Sequence, residues 1–274
     1  MLKAAHAAFF FAPICCNRFF TTRCRGKLQP MNTFRMFTLL MLLNLQQTIL
    51  SQEVRDLEGN TYGLLLMGEH QWTTENLRVT HFNNGEAIPQ AQSAEEWQRA
   101  TNKKLPAWCY YEDEHGIDQT TVLYNWYAVN DPRGLAPSGS HIPSINEWTS
   151  LINQLGGIKK CARMFKSSEG WLRPQATLTH ELNAFNAMPV GSRYTDLEAS
   201  FQWIDGWSKG RYVNYWTSSS GQYGIYGDHA NRIGLSFDSD QLITDARSKT
   251  QFSNIDLNLK GNGFSVRCIL DPMP

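Results

Sequence analysis

The sequence predicts an α+β domain. Three observations predict it: a capped amphipathic stretch at 144–157, a shorter helical stretch before it, and a change of texture from Phe185 onward. There, short runs rich in Tyr, Trp, Ile, Val and Phe are cut by Gly, Asn and Asp every few residues, the pattern of strands joined by tight turns. The expected order is two helices followed by a β-rich half.

The elements follow in chain order. Residues 1–51 read as a leader. Arg35 precedes the apolar run Met36 to Leu43, and small Ser51 is followed by polar Gln52 and Glu53, the charged, apolar, small order of a secretory signal. That run is far shorter than the roughly 20 residues a membrane-spanning helix needs. Cleavage near Ser51 is therefore expected, with no stable membrane span left afterwards. Met31 gives the signal 31–51 a start of ordinary position and makes 1–30 a mis-assigned beginning. The alternative is a transit peptide, since Lys3, Arg18, Arg23, Arg25 and Lys27 occur with no acidic residue before Glu53. No cysteine stands where a lipid anchor would need one. The expected product is exported: secreted, periplasmic or at the cell surface.

From 52 to 274 no Pro/Ser/Gly tract, charge block or repeat divides the chain, so one domain is expected. Asp56-Leu57-Glu58-Gly59-Asn60 is a turn between two short apolar runs, and Leu64-Leu65-Leu66 leads through Gly68 to Trp72, a hairpin signature. The shorter helix is placed at Leu123 to Val129 with Trp126 inward, before the turn Asp131-Pro132-Arg133-Gly134. Ser144 and Glu147 form a capping box. Ile145, Trp148, Leu151, Ile152 and Leu155 then share one helical face, and Gly156-Gly157 ends the helix.

Composition excludes some functions. Lys+Arg and Asp+Glu each total 25, so no net field holds a polyanion and nucleic acid is not an expected partner. Beyond the leader the cysteines are Cys109, Cys161 and Cys268. An odd number allows at most one internal bridge, and their spacing does not suit zinc. His70, His81, His115, His141, His180 and His229 show no helical ligand spacing. Asp238, Asp240 and Asp245 are close in sequence, as are Glu112, Asp113, Glu114 and Asp118, but neither set has an EF-hand spacing. Calcium stays a weak option and solvated acidic loops the plainer account. No motif points to the carboxylate pair of a glycosidase. The glycine-rich stretch Tyr212 to Tyr226 is nominated for recognition. Tyr223 and Tyr226 are its surface candidates, with Tyr212 beside them, because aromatic rings give contact area at low entropic cost; Trp216 is read as strand core.

Several blocks resemble one family, the Fibrobacter succinogenes major paralogous domain. They are Asp56 to Asn60, Gln71-Trp72 with Glu75-Asn76-Leu77, Trp108 to Tyr111, Leu123 to Val129, Gly134 to Pro137, His141 to Ser144 with Glu147-Trp148, Phe185 to Pro189 with Gly191 and Arg193, Tyr215 to Ser219, and Gly263 to Cys268. The resemblance implies a C-type-lectin-like fold: an early strand, two helices, then a curled antiparallel sheet with long loops, its first and last strands adjacent. Phe264 and Val266 become inward residues of the last strand, with Arg267 facing the other way. The segment 143–157 is also similar to the helix of formylglycine-generating enzymes. Their copper-binding cysteine pair has no counterpart in Trp216 to Arg232, and the Glu-Pro-Asn and Trp-Asn-Asp motifs of calcium-dependent lectins are missing. Cys109 and Cys268 match family positions, so the resemblance suggests them as the one bridge. Ser140 replaces a customary Trp and suggests a pocket beside the second helix. The expected function is a noncatalytic binding module, recognising a glycan or a surface protein through its late loops. The alternatives are a structural or assembly part of a surface complex, and an enzyme of unknown type.

Overall fold

A computed structural model of the chain describes residues 53–113, 115–173, 185–195, 209–221, 228–244 and 259–272. The leader and Tyr223, Tyr226, His180 and Asp245 lie outside the described residues. The architecture is mixed, with four helices among the described residues and curled antiparallel sheets. Strands β1 (Glu53–Arg55), β2 (Thr61–Met67) and β3 (His70–Thr73) form the expected hairpins. The β1–β2 turn is built on Asp56. Its carboxylate accepts from the Glu58 and Asn60 backbone N–H groups at 2.9 and 2.8 Å and from the Tyr62 hydroxyl at 2.7 Å, while Gly59 takes the left-handed φ of 83° that closes the turn.

Helix α1 (Ala94–Asn102) follows, capped by the Ser93 side chain. Strands β4 (Trp108–Asp113) and β5 (Gly116–Tyr124) then pair as an antiparallel arm. The expected helix from Leu123 is corrected here. Leu123 and Tyr124 end β5, and the helix is the single turn α2 (Trp126–Val129). Asn125 decides the boundary. Its side-chain oxygen accepts from Ala128 N–H and Ala107 N–H, both at 3.0 Å, and its amide donates to the Leu105 carbonyl at 2.8 Å, so it caps the helix and ties down the irregular segment before β4.

After the two-residue strand β6 (Ser140–His141) comes α3 (Ile145–Gln154), which has the anticipated capping box and buries Trp148, Leu151 and Ile152. A helix that was not anticipated, α4 (Ile158–Phe165), follows the Gly156-Gly157 break and buries Cys161, Ala162 and Phe165. Strands β7 (Tyr212–Gly221), β8 (His229–Ser236) and β9 (Ile269–Leu270) complete the set. The largest sheet has the order β1-β2-β3-β9-β6. The last strand thus lies beside β3 and not beside the first strand.

The segment 263–268 is the seam of the molecule. Phe264 exchanges two backbone bonds with Tyr124, and Ser265 bonds Asn214 and Trp216 on β7. Val266 and Cys268 carbonyls accept from Leu77 and Thr73 N–H, each at 2.9 Å. Alternation then divides its side chains. Phe264, Val266 and Cys268 enter one apolar cluster with Tyr62, Tyr124 and Trp216. Arg267 turns the other way, as the strand period requires, yet it is only 2% exposed. Its guanidinium donates to Asn76 Oδ1 and the Thr73 carbonyl, both at 2.7 Å, and to the Asn186 carbonyl at 3.3 Å. It also lies over the Phe185 and Tyr215 rings. Asn186 holds a left-handed φ of 51°.

The suggested bridge between Cys109 and Cys268 does not form. Cys109, Cys161 and Cys268 are all free and buried. Cys109 packs with Trp97, Tyr111 and Leu123, whereas Cys268 belongs to the Phe264 cluster, so the two thiols point into different parts of the interior. Burial pushes the Cys268 thiol up to about 12 and the Cys161 thiol to about 11, which makes them poor nucleophiles and inert packing groups.

Candidate functional site

A cleft forms where α1, α2 and the start of the seam meet. The buried Trp97 ring anchors α1, its Nε1–H donating to the Gly261 carbonyl at 2.8 Å. That bond turns the next helical positions, Gln98, Thr101 and Asn102, toward Tyr127 of α2 and toward Leu259, Lys260 and Gly261. Close approach is possible because residue 261 has no side chain: a Cβ there would stand 2.2 Å from Thr101 Cγ2. Thr195 and Asp228 complete the lining of a cavity of about 80 Å³. Thr195 is fixed by its backbone N–H and hydroxyl, which both donate to Asn262 Oδ1 at 3.0 Å.

The charges in the cleft are spent on one another. Lys260 Nζ contacts Asp228 Oδ1 at 2.6 Å and Lys104 Nζ contacts Oδ2 at 3.0 Å, while the Lys260 ammonium lies 4.4 Å from the centre of the Trp126 ring. Burial alone would raise Asp228, but its bonds to Lys260 and Lys104 outweigh burial and hold the carboxyl below its ordinary range. The Tyr127 hydroxyl, 3.4 Å from Asp228 Oδ2, is pushed up to about 12 by burial and by that carboxylate. The amides behave differently. Gln98 Nε2 donates to Asn102 Oδ1 at 2.9 Å across one helical turn, which leaves the Gln98 carbonyl and the Asn102 amino group available.

Other sequence candidates fall elsewhere. Tyr212, nominated for ligand contact, is 7% exposed in β7 and packs edge-on against Phe237; strand alternation turns it into the sheet. Asp118 is occupied by Lys209, Thr120 and Thr121. Their hydrogen bonds overcome the upward effect of burial and bring it to about 2. Beside Asp238 and Asp240 the cation is the protein's own: buried Lys166 donates to the Ser239 carbonyl at 2.9 Å and lies over Trp171. Among the described residues no group of three or more His, Cys, Asp or Glu side chains is arranged to hold a metal.

The surroundings of Ser140 form a clasp. Ser140 Oγ–H donates to the Pro137 carbonyl at 2.6 Å. His141 is gripped on both sides, with Nδ1 2.5 Å from Asp271 and Nε2 2.9 Å from Glu147, the same carboxylate that caps α3. Burial lowers the His141 pKa, but the two carboxylates prevail and raise it.

Residues 66–270 match the Fibrobacter succinogenes major domain. The chain belongs to that family. No curated protein and no solved structure matches it. In this member of the Fibrobacter succinogenes major domain family most of the blocks that carried the resemblance build the frame: the Asn125 cap, the Ser144–Glu147 box and the Arg267 seam within the matched residues, and the Asp56 turn before them. Gly191 belongs with them, since at its φ of 80° a Cβ would meet the Tyr111 ring at 2.4 Å. The cleft residues Gln98, Asn102, Asp228 and Lys260 stand outside those blocks. Sequence reasoning missed them, and the one available signal was the i, i+4 amide pair on α1.

Proposed function

We propose that the chain is an exported, noncatalytic binding module with a C-type-lectin-like arrangement that recognises a glycan. The observation that carries the reading is the cleft. It combines a half-buried tyrosine, unspent amide groups and an Asp228–Lys260 ion pair in one concavity, with Lys104 bonded to the same carboxylate beside it, the mixture of ring surface and convergent polar groups that suits a polyhydroxylated ligand. Thr195, Asp228 and Leu259 each border a late segment beyond the described residues, so the recognition expected of late loops has its nearest described counterpart here. The leader-like residues 31–51 support export, and among the described residues no helix is long and apolar enough to cross a membrane.

The test is a glycan screen on the purified full-length chain, repeated with Gln98→Ala and with Tyr223 and Tyr226 changed to Ala. The reading expects saturable binding that Gln98→Ala weakens. Absence of binding to every glycan would overturn it.

A further inference from the structure

The cleft is small, and its size restricts what enters it. At about 80 Å³ it is well below the roughly 300 Å³ at which pockets enclose a drug-sized molecule. It receives one substituent, while the rest of the ligand stays outside. Buried Gly261 and Thr195 lie deepest, with half-buried Leu259 and Tyr127 beside them and exposed Asn102 at the rim. Lys260 and Lys104 are each already bonded to Asp228, so although the three groups together keep one positive charge, neither ammonium stands vacant as a ligand group.

The polar groups left over include the buried Thr101 hydroxyl, which has no partner, and an acceptor and a donor on adjacent side chains. Because Gln98 and Asn102 bond to each other, the Gln98 carbonyl and the Asn102 amino group are held one helical turn apart. Exchanging oxygen and nitrogen in both amides gives the same complement, an acceptor beside a donor. A secondary amide answers both, its N–H donating to the carbonyl and its C=O accepting from the amino group. Resting on the glycan-binding reading, we infer that the cleft takes the acetamido group of an N-acetyl amino sugar, with the terminal methyl toward Leu259 and Gly261. A sugar hydroxyl satisfies one of the two amide groups and leaves the apolar end empty. A peptide backbone amide is substituted on both sides and cannot end in so short a cavity.

The test titrates the full-length chain with N-acetylglucosamine, glucosamine, glucose and trialanine, using ligand-observed NMR. N-acetylglucosamine is expected to bind about tenfold more tightly than glucose or glucosamine, the scale of one net hydrogen bond. Asn102→Asp keeps the acceptor for Gln98 but loses the donor, and is expected to weaken binding about tenfold with an unchanged melting profile. Equal affinity for glucose, or unaltered binding by Asn102→Asp, overturns the acetamido assignment and leaves the glycan reading standing. Equal affinity for trialanine, whose amides are substituted on both sides, overturns it in favour of a peptide partner. Failure of the full-length chain to bind any sugar overturns both.

Discussion

The seam and the cleft share one segment and use it in opposite ways. At 264–268 each backbone group described above has a protein partner, and even the buried Arg267 is matched by three acceptors and two rings. Four residues earlier, at Lys260 and Gly261, the chain borders a concavity whose amides are only half used. A buried cation fully matched inside the fold is a folding device; polar groups left open at a concave surface are available to something else.

The comparison breaks if the two regions respond alike to substitution. The largest loss of stability is expected for Arg267→Ala. It strands two carbonyls and the Asn76 side-chain oxygen and should cost about 3 kcal/mol or more in a denaturant titration. Gly191→Ala comes next. It must place a Cβ against the Tyr111 ring from a left-handed backbone, and should cost roughly 2 kcal/mol or more. Ser144→Ala removes one half of the capping box and should lower stability by about 1 kcal/mol.

The His141 clasp sharpens the contrast through pH. Its folded pKa is raised, so its contribution is fully present below the ordinary histidine value of 6.5 and is lost as pH rises through the folded value. With the ring 40% exposed, solvent screening limits the effect to no more than about 1 kcal/mol. Stability measured from pH 6 upward should fall more steeply in the unmodified chain than in Asp271→Asn. Parallel curves would dismiss the clasp as a titrating contact.

How much of this was legible depends on how local each signal is. The α3 capping box and the Asp56 turn are satisfied within six residues, and both are readable in the sequence. Helix α1 was not, because Trp97 is its one buried residue and a single ring gives no periodicity. At Leu123 the β-strand runs directly into a capped turn, so apolar spacing could not separate them; Asn125, a good N-cap type, was the available clue. The cleft was hidden for a longer-range reason. Its walls meet through the Trp97–Gly261 bond, which joins residues 164 positions apart. Tyr212 misled because an aromatic beside glycines has the same composition on a loop as in a strand.

The central claim is that the cleft is built for binding while the seam is built for folding. The most direct measurement compares Gln98→Ala with the unmodified chain in both stability and sugar binding. The account predicts a stability change within about 0.5 kcal/mol together with at least a severalfold loss of affinity for N-acetylglucosamine. Unchanged affinity, or a stability loss comparable to that of Arg267→Ala, would contradict it.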